Sequence, residues 1–88
     1  MKNSFKLKII TPEKNIFEAE ASFIGLPGKN GRLGIEARHA PIVVALKAGI
    51  LDVTLTDETR HEFELSEGTA DFHANAATIL VDTCREKK

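Results

Sequence analysis

Tryptophan and tyrosine are absent from the sequence, and phenylalanine supplies all five aromatic side chains. Proteins that bind single-stranded RNA stack bases on aromatic residues, so this composition disfavours an RNA-binding surface. Neither sign of charge is in excess, because 12 basic residues stand against 13 acidic ones and the formal net charge is -1. That balance argues against a surface built mainly to hold nucleic acid or anionic lipid.

Cysteine and long apolar runs are equally scarce. Cys84 is the single cysteine, so it cannot form an internal disulfide, and a reducing compartment is expected. No apolar run approaches the length of a membrane span, and the N-terminus shows neither a signal-peptide nor a transit-peptide pattern. The 88 residues, 42% of them apolar, therefore predict one small, soluble intracellular domain.

What the sequence does contain is a series of short alternating segments separated by turns. Apolar and polar residues alternate with a period of two in segments that begin at Phe5, Phe17, Leu51, Phe63 and Ala70. Turn-forming residues recur about every ten positions, and no segment has the periodicity of an amphipathic helix. The pattern predicts an all-β fold, an antiparallel sandwich or barrel of about ten short strands, over residues 1–84. Residues 85–88 are predicted to be a charged, solvated tail.

One segment, Ile42–Leu46, is apolar throughout instead of alternating. A continuous apolar run of this length is typical of a strand that is covered on both faces. We therefore predict a fully covered strand here.

The stretch from Ile24 to Pro41 is the part of the sequence richest in glycine and proline. It holds four of the six glycines and two of the three prolines. Asn30-Gly31 lies between two apolar pieces, and Asn-Gly in that setting is a strong hairpin signal because both residues tolerate positive φ. Ordering such a stretch costs conformational entropy, and a stretch of this kind usually forms a specific exposed loop. We therefore interpret it as the functional end of the molecule.

Motifs for chemistry are weak throughout. Gly28 to Gly31 matches the Gly-x-x-Gly loop of an RNA-binding module, but the flanking segments predict strands rather than the helices that module requires. His39, His61 and His73 are too widely spaced to form the ligand pairs of a zinc site. Of these, only His39 lies in the stretch from Ile24 to Pro41. Three roles remain open for its side chain there: an interface contact, a backbone cap and simple exposure to solvent. No acid–base pair, nucleophile or metal set is found, so no catalytic or metal-binding residue is predicted.

Three motifs, in this order, resemble the epsilon subunit of bacterial and chloroplast F-type ATP synthases. They are Phe17-x-Ala-x-Ala, Gly31-Arg32-Leu33-Gly34-Ile35 and His39-Ala40-Pro41. Further matches follow at 46–51, 63–68 and 78–83, so the resemblance covers nearly all of the chain. The N-terminal domain of that family is a sandwich of two sheets, which agrees with the strand pattern.

The resemblance implies a non-catalytic subunit of the central rotor stalk that helps to couple ion translocation to ATP synthesis or hydrolysis. One surface would contact the ring of c subunits, through Gly28, Lys29, Asn30, Gly31, Arg32 and Leu33. Another would contact the gamma subunit, through Thr11, His39, Ala40 and Pro41. The alpha and beta subunits would be met only indirectly, with no cofactor, no nucleic acid, no direct membrane insertion and no requirement for a homo-oligomer. The expected location is peripheral, on the cytoplasmic face of the bacterial inner membrane or, alternatively, the stromal side of the thylakoid.

Three departures from the family pattern bear on these expectations. Family members usually continue into an inhibitory C-terminal helical hairpin, whereas this sequence stops at Lys88, which implies a naturally short form or a shortened piece. Ala37-Arg38 stands where Pro-Gly is usual, so the sharp turn that Pro-Gly favours is not predicted. Arg32 occupies an often acidic position, and the expectation is either an acidic or neutral group of the ring opposite it or simple exposure to water. An enzyme, and a small RNA-binding or other protein-interaction β-domain, are the alternatives.

Overall fold

The structure is a computed structural model that describes residues 3–87, and these residues form nine β-strands and no helix. Residues 3–87 thus contain no helix long and apolar enough to cross a membrane. The all-β prediction is confirmed. The strands are β1 (Phe5–Ile10), β2 (Asn15–Gly28), β3 (Gly31–Glu36), β4 (Ile42–Leu46), β5 (Gly49–Leu55), β6 (Arg60–Leu65), β7 (Gly68–His73), β8 (Ala76–Val81) and β9 (Cys84–Lys87).

The 14-residue strand β2 belongs to both layers of the sandwich. Its first half is antiparallel to β1, and its second half is antiparallel to both β3 and β5. The register shifts between Ala21 and Phe23, and such a bulge bends a strand and increases its twist. The first layer contains β1, β8, β7, β4 and the start of β2, and the second contains the rest of β2 with β3, β5, β6 and β9. The predicted segment that begins at Phe17 is thus part of one long strand.

Strand β1 lies between two neighbours of opposite direction. It is antiparallel to β2, with Phe5 opposite Ala21, and parallel to β8, with Lys6 opposite Ala76. Its alternating pattern turns Phe5, Leu7 and Ile9 inward, where each is at most 1% exposed. This strand therefore closes the first layer onto β2.

The core between the layers is built from the inward residues of each alternating segment. Phe5 packs edge-to-face on Phe72 with ring centroids 5.4 Å apart, and Phe17 lies 5.0 Å from Phe63. Burying a side chain of this size stabilises the fold by about 1.5–3 kcal/mol relative to leaving it exposed. The period-two pattern thus predicts the core residues as well as the strands.

The prediction that Ile42–Leu46 is covered on both faces is wrong. Leu46 is fully buried, whereas Val43 on the opposite face is 73% exposed. The sandwich has only two layers, so it covers one face of β4 and leaves the other open.

Residues 85–87 form part of a strand rather than the solvated tail predicted from their charges. Strand β9 is antiparallel to β6, with Cys84 opposite Leu65 and Glu62 opposite Lys87. Arg85 forms an ion pair with Glu64, and Nδ1 of His61 lies 2.6 Å from Oε2 of Glu86. Lys88, the last residue of the predicted tail, lies outside the described residues.

Candidate interface

The strand registers place the turns of the chain at two opposite ends of the sandwich. Gly28 is paired with Leu46, Leu46 with Gly68, and Ile10 with Leu80. We call this the hairpin end; it carries the turns at 11–14, 29–30, 47–48, 66–67 and 82–83. We call the other the histidine end; it carries residues 3–4 and the turns at 37–41, 56–59 and 74–75.

The predicted hairpin is present, but its turn is shifted by one residue. Gly28 and Gly31 face each other across β2 and β3, so Lys29 and Asn30 form the two-residue turn. Within this hairpin only Gly31 has a positive φ, of 124°, a conformation that residues with a side chain rarely adopt. A Cβ on Gly28 would lie 2.7 Å from the carbonyl oxygen of Gly31, so this position also requires glycine.

Backbone hydrogen bonds fix the hairpin on β4. The N–H of Lys29 donates to the carbonyl of Ala45, and the N–H of Lys47 donates to that of Pro27, both at 2.9 Å. Of the six residues predicted to meet the c-ring, Gly28 is buried and Leu33 packs partly against the core. The other four, Lys29, Asn30, Gly31 and Arg32, are exposed at the hairpin end.

Arg32 lies across the outer face of the second layer and makes three contacts there. Its Nη2 donates to the carbonyl of Gly25 at 3.1 Å and to Oδ2 of Asp52 at 2.9 Å. Its Nη1 donates to the carbonyl of Ile50 at 2.9 Å. A Cβ on Gly25 would come within 3.2 Å of Nη2 and 3.1 Å of the Asp52 carboxylate, so the glycine leaves room for this packing. The arginine has partners inside its own chain, an environment that neither sequence expectation included.

The turn before His39 forms without the Pro-Gly pair. Arg38 has a φ of 65°, and the N–H of His39 donates to the carbonyl of Glu36 at 3.2 Å. A positive φ at the third residue is what a type II turn requires, and glycine normally supplies it. Here Arg38 adopts that conformation, which sequence reasoning did not predict.

The His39 ring is held in a defined orientation. Its Nδ1 lies 2.7 Å from the carbonyl oxygen of Ala40, and the ring packs edge-to-face on Phe72 with centroids 6.0 Å apart. Because a carbonyl oxygen can only accept, Nδ1 carries the hydrogen, and Nε2 of the neutral ring is an acceptor. Ala40 and Pro41 beside it are exposed. The loop therefore offers a small, ordered surface at the histidine end.

Thr11 does not lie beside this loop. It lies at the hairpin end and is only 8% exposed. Its N–H and its hydroxyl both donate to the carbonyl of Lys14, at 2.9 and 3.2 Å. The four residues predicted to meet gamma thus lie at two opposite ends of the domain.

The outer face of the first layer connects these two ends. Its exposed apolar residues are Val43 at 73% and Leu80 at 50%, and Ala45 is exposed beside them. A groove runs between β4 and the hairpin, lined by Val43 and Ala45 on one side and by Lys29 and Asn30 on the other. Sequence reasoning missed this face because the apolar run at Ile42–Leu46 predicts a strand covered on both sides.

The family model described as "ATP synthase, Delta/Epsilon chain, beta-sandwich domain" matches residues 4–87. The chain belongs to this family. The resemblance found in the sequence is therefore confirmed, and nothing in the family match supports the RNA-binding alternative.

Curated relatives of this delta/epsilon sandwich domain agree. The ATP synthase epsilon chain of Desulfitobacterium hafniense is 35% identical over 83 residues, which cover 94% of this chain and 62% of that protein. The ATP synthase epsilon chain 2 of Nitrobacter hamburgensis is 38% identical over 79 residues, covering 90% and 57%. The chain thus spans less than two thirds of the length of these relatives.

Two solved structures share the fold of the delta/epsilon sandwich domain. A chain of the Euglena gracilis mitochondrial ATP synthase, in a structure of OSCP, F1 and the c-ring, superposes with a TM-score of 0.91 at 19% identity, covering 98% of this chain and 55% of that one. A chain from the central stalk and c-ring of the Tetrahymena thermophila mitochondrial enzyme gives 0.78 at 22% identity, covering 91% and 64%. At these identities the likeness shows the fold.

Strand and turn contacts shift the pKa values of several titratable groups of the delta/epsilon sandwich domain. The hydrogen bond and charge of Arg85 lower the pKa of Glu64, and hydrogen bonds from Thr59 lower the pKa of Asp57. Burial, together with the charge of Glu86, raises the pKa of the Cys84 thiol. Within residues 3–87, no three His, Cys, Asp or Glu side chains are grouped so that they could hold a metal ion.

Proposed function

We propose that this chain is a non-catalytic subunit of the rotor of an F-type ATP synthase. It packs on the gamma subunit and on the ring of c subunits, and it helps to couple ion translocation to ATP synthesis or hydrolysis. Support comes from the family match over residues 4–87 and from one structural observation, the 73% exposure of Val43.

Val43 is exposed on a strand whose composition favours cover on both faces. All five residues of this strand are apolar, and such a strand is normally covered on both faces. The domain covers the face that carries Leu46 and leaves Val43 and Ala45 open. A partner subunit would supply the missing cover, and the adjacent His39–Pro41 loop would extend the contact. We assign this face to gamma, with the outer face of the first layer as its centre.

The hairpin end suits the ring of c subunits. Lys29, Asn30, Gly31 and Arg32 project there on a hairpin that two backbone hydrogen bonds fix to β4. These hydrogen bonds hold the base of the hairpin in place relative to β4. The groove beside β4 joins the hairpin to the face assigned to gamma, so one continuous surface would meet both partners. In this role the domain is a peripheral subunit at the cytoplasmic face of the membrane.

Titration calorimetry with the cognate gamma subunit tests the proposal. The native chain is expected to bind gamma, and Val43→Lys is expected to weaken binding at least tenfold because it places a charge in an apolar contact. Thr56→Lys, a matched charge at an exposed turn of the histidine end, should bind like the native chain. Circular dichroism of both variants checks that the fold is retained. If the native chain does not bind gamma, the proposed function is wrong; if Val43→Lys binds normally, the assigned face is wrong.

A further inference from the structure

Three residues with unusual backbone conformations lie together at the histidine end. Arg38, Ala74 and Asn75 have φ angles of 65°, 51° and 56°, and among the described residues only Glu58 is a further non-glycine residue with positive φ. Left-handed backbone conformations are unfavourable for residues other than glycine. Residues that adopt them tend to cluster where function requires a fixed shape. This corner adjoins the loop that carries His39.

The side chain of Asn75 joins two backbone segments that are distant in the sequence. Its Oδ1 accepts the N–H of Arg38 at 2.7 Å, and its Nδ2 donates to the carbonyl of Ser4 at 2.8 Å. Both polar groups of the amide are therefore used, each on a main-chain partner. Asparagine also tolerates the left-handed conformation better than most residues, which suits it to this turn between β7 and β8.

The bond to Arg38 acts on the turn that precedes His39. Arg38 stands in a left-handed conformation without the freedom of glycine, and its N–H is held by Asn75 while its guanidinium donates to Oδ1 of Asn3 at 2.7 Å. The next N–H, that of His39, completes the turn to Glu36. The direction in which the chain leaves this turn sets the positions of His39, Ala40 and Pro41.

We infer that Asn75 is a positioning residue for the gamma-binding loop, an inference that rests on the proposed function. It holds the Arg38 turn against the β7–β8 hairpin and the first residues of the chain, so the loop at 39–41 is ordered before gamma arrives. A preorganised loop binds more tightly because less conformational entropy is lost on association. Asn75 itself need not touch gamma.

Asn75→Gly isolates the amide, since glycine keeps the left-handed conformation and removes only the side chain. Ala74→Gly is the matched control, because it adds a glycine to the same turn and leaves the Asn75 contacts in place. Asn75→Asp is a second variant that retains an acceptor for Arg38 and replaces the donor to Ser4 with an oxygen. Amide hydrogen exchange of the isolated chain and calorimetric affinity for gamma are measured for each.

In Asn75→Gly, exchange at the Arg38 amide should accelerate at least tenfold while amides of the β4–β7 ladder stay protected, and gamma affinity should fall about fivefold to tenfold. Ala74→Gly should change neither quantity by that amount, and Asn75→Asp should fall between them. Unchanged exchange at Arg38 would overturn the contact, and accelerated exchange with native affinity would overturn the positioning role. Failure of the native chain to bind gamma would instead count against the proposed function, whatever the exchange shows.

Discussion

Arg32 on β3 and Asp52 on β5 form an ion pair that bridges the intervening strand β2, with Nη2 of the arginine 2.9 Å from Oδ2 of the aspartate. The two side chains are 50% and 47% exposed. The same guanidinium donates to backbone carbonyls of Gly25 and Ile50, so a single side chain ties three strands of the second layer together. The charge of Arg32 at the hairpin end is thereby balanced within the chain.

This arrangement predicts a modest and measurable contribution to stability. Arg32→Ala is expected to lower the free energy of unfolding by about 1 kcal/mol, since half-exposed ion pairs and hydrogen bonds contribute little each. A double-mutant cycle with Asp52→Ala should give a coupling of about 0.5 kcal/mol, measured by urea unfolding. Arg60→Ala is the control, because Arg60 is exposed and makes no side-chain hydrogen bond within residues 3–87. Equal losses for Arg32→Ala and Arg60→Ala would contradict the bridging role.

Gly68 is expected to be intolerant of any side chain. A Cβ at this position would lie 2.1 Å from the carbonyl oxygen of Leu80 and 2.7 Å from a methyl of Val81. Because the first of these atoms belongs to the backbone of β8, the two strands would have to separate. Gly68→Ala should therefore cost at least about 2 kcal/mol in chemical unfolding, at the upper end of overpacking effects. The neighbouring Thr69→Ala on the exposed face should cost less than about 1 kcal/mol, and similar losses for the two would refute the steric argument.

The left-handed conformation of Arg38 predicts different effects for two substitutions at this position. Arg38→Gly removes the conformational strain and should stabilise the domain slightly or leave it unchanged, within about 1 kcal/mol. Arg38→Val places a β-branched side chain at a φ of 65° and should destabilise it by about 1–2 kcal/mol. Thermal unfolding of both variants gives the order, and a valine variant as stable as the glycine variant would show that the turn is not strained.

The Glu64–Arg85 pair predicts a pH dependence on the acid side. Arg85 lowers the pKa of Glu64 below its ordinary value of 4.5, so the folded state binds this proton less readily than the unfolded state. The pair therefore stabilises the fold above that value, and the contribution is lost as the pH falls through the lower folded pKa. Between about pH 6 and about pH 3, the melting temperature of Glu64→Gln should fall less than that of the native chain. Glu13→Gln, in the exposed turn after β1, should behave like the native chain; if Glu64→Gln does so too, β9 is not held by this pair.

The sequence predicts the strands and much of the core because buried residues alternate with polar ones in segments such as β1 and β6. Phe5, Leu7 and Ile9 face inward for this reason alone, and Asn30-Gly31 marks the hairpin to within one residue. The outward exposure of Val43 was not predictable, since a wholly apolar run indicates that both faces are covered without saying whether the second cover belongs to the same chain.

Features that depend on register could not be read from local patterns. Arg32 meets Asp52 only because β2 and β5 pair in a particular alignment, and Asn75 meets Arg38 across the end of the sandwich. Strand β9 is a similar case, because its charged residues suggest a solvated tail while its backbone pairs with β6. In each case the deciding partner lies on another strand or turn, too far along the chain for a short pattern to reveal it.

The position of β1 between β2 and β8 has a consequence for how the domain is made. Lys6 is paired with Ala76, 70 positions further along the chain, so the first strand acquires its second neighbour almost last. Loop closure over such distances slows folding, and the backbone edge of β1 that pairs with β8 stays open while the ribosome synthesises the rest. We expect nascent chains stalled with His73 just outside the ribosome to remain sensitive to protease, and chains that have exposed Val81 to become resistant. Resistance at the earlier point would show that β1 is already sheltered without β8.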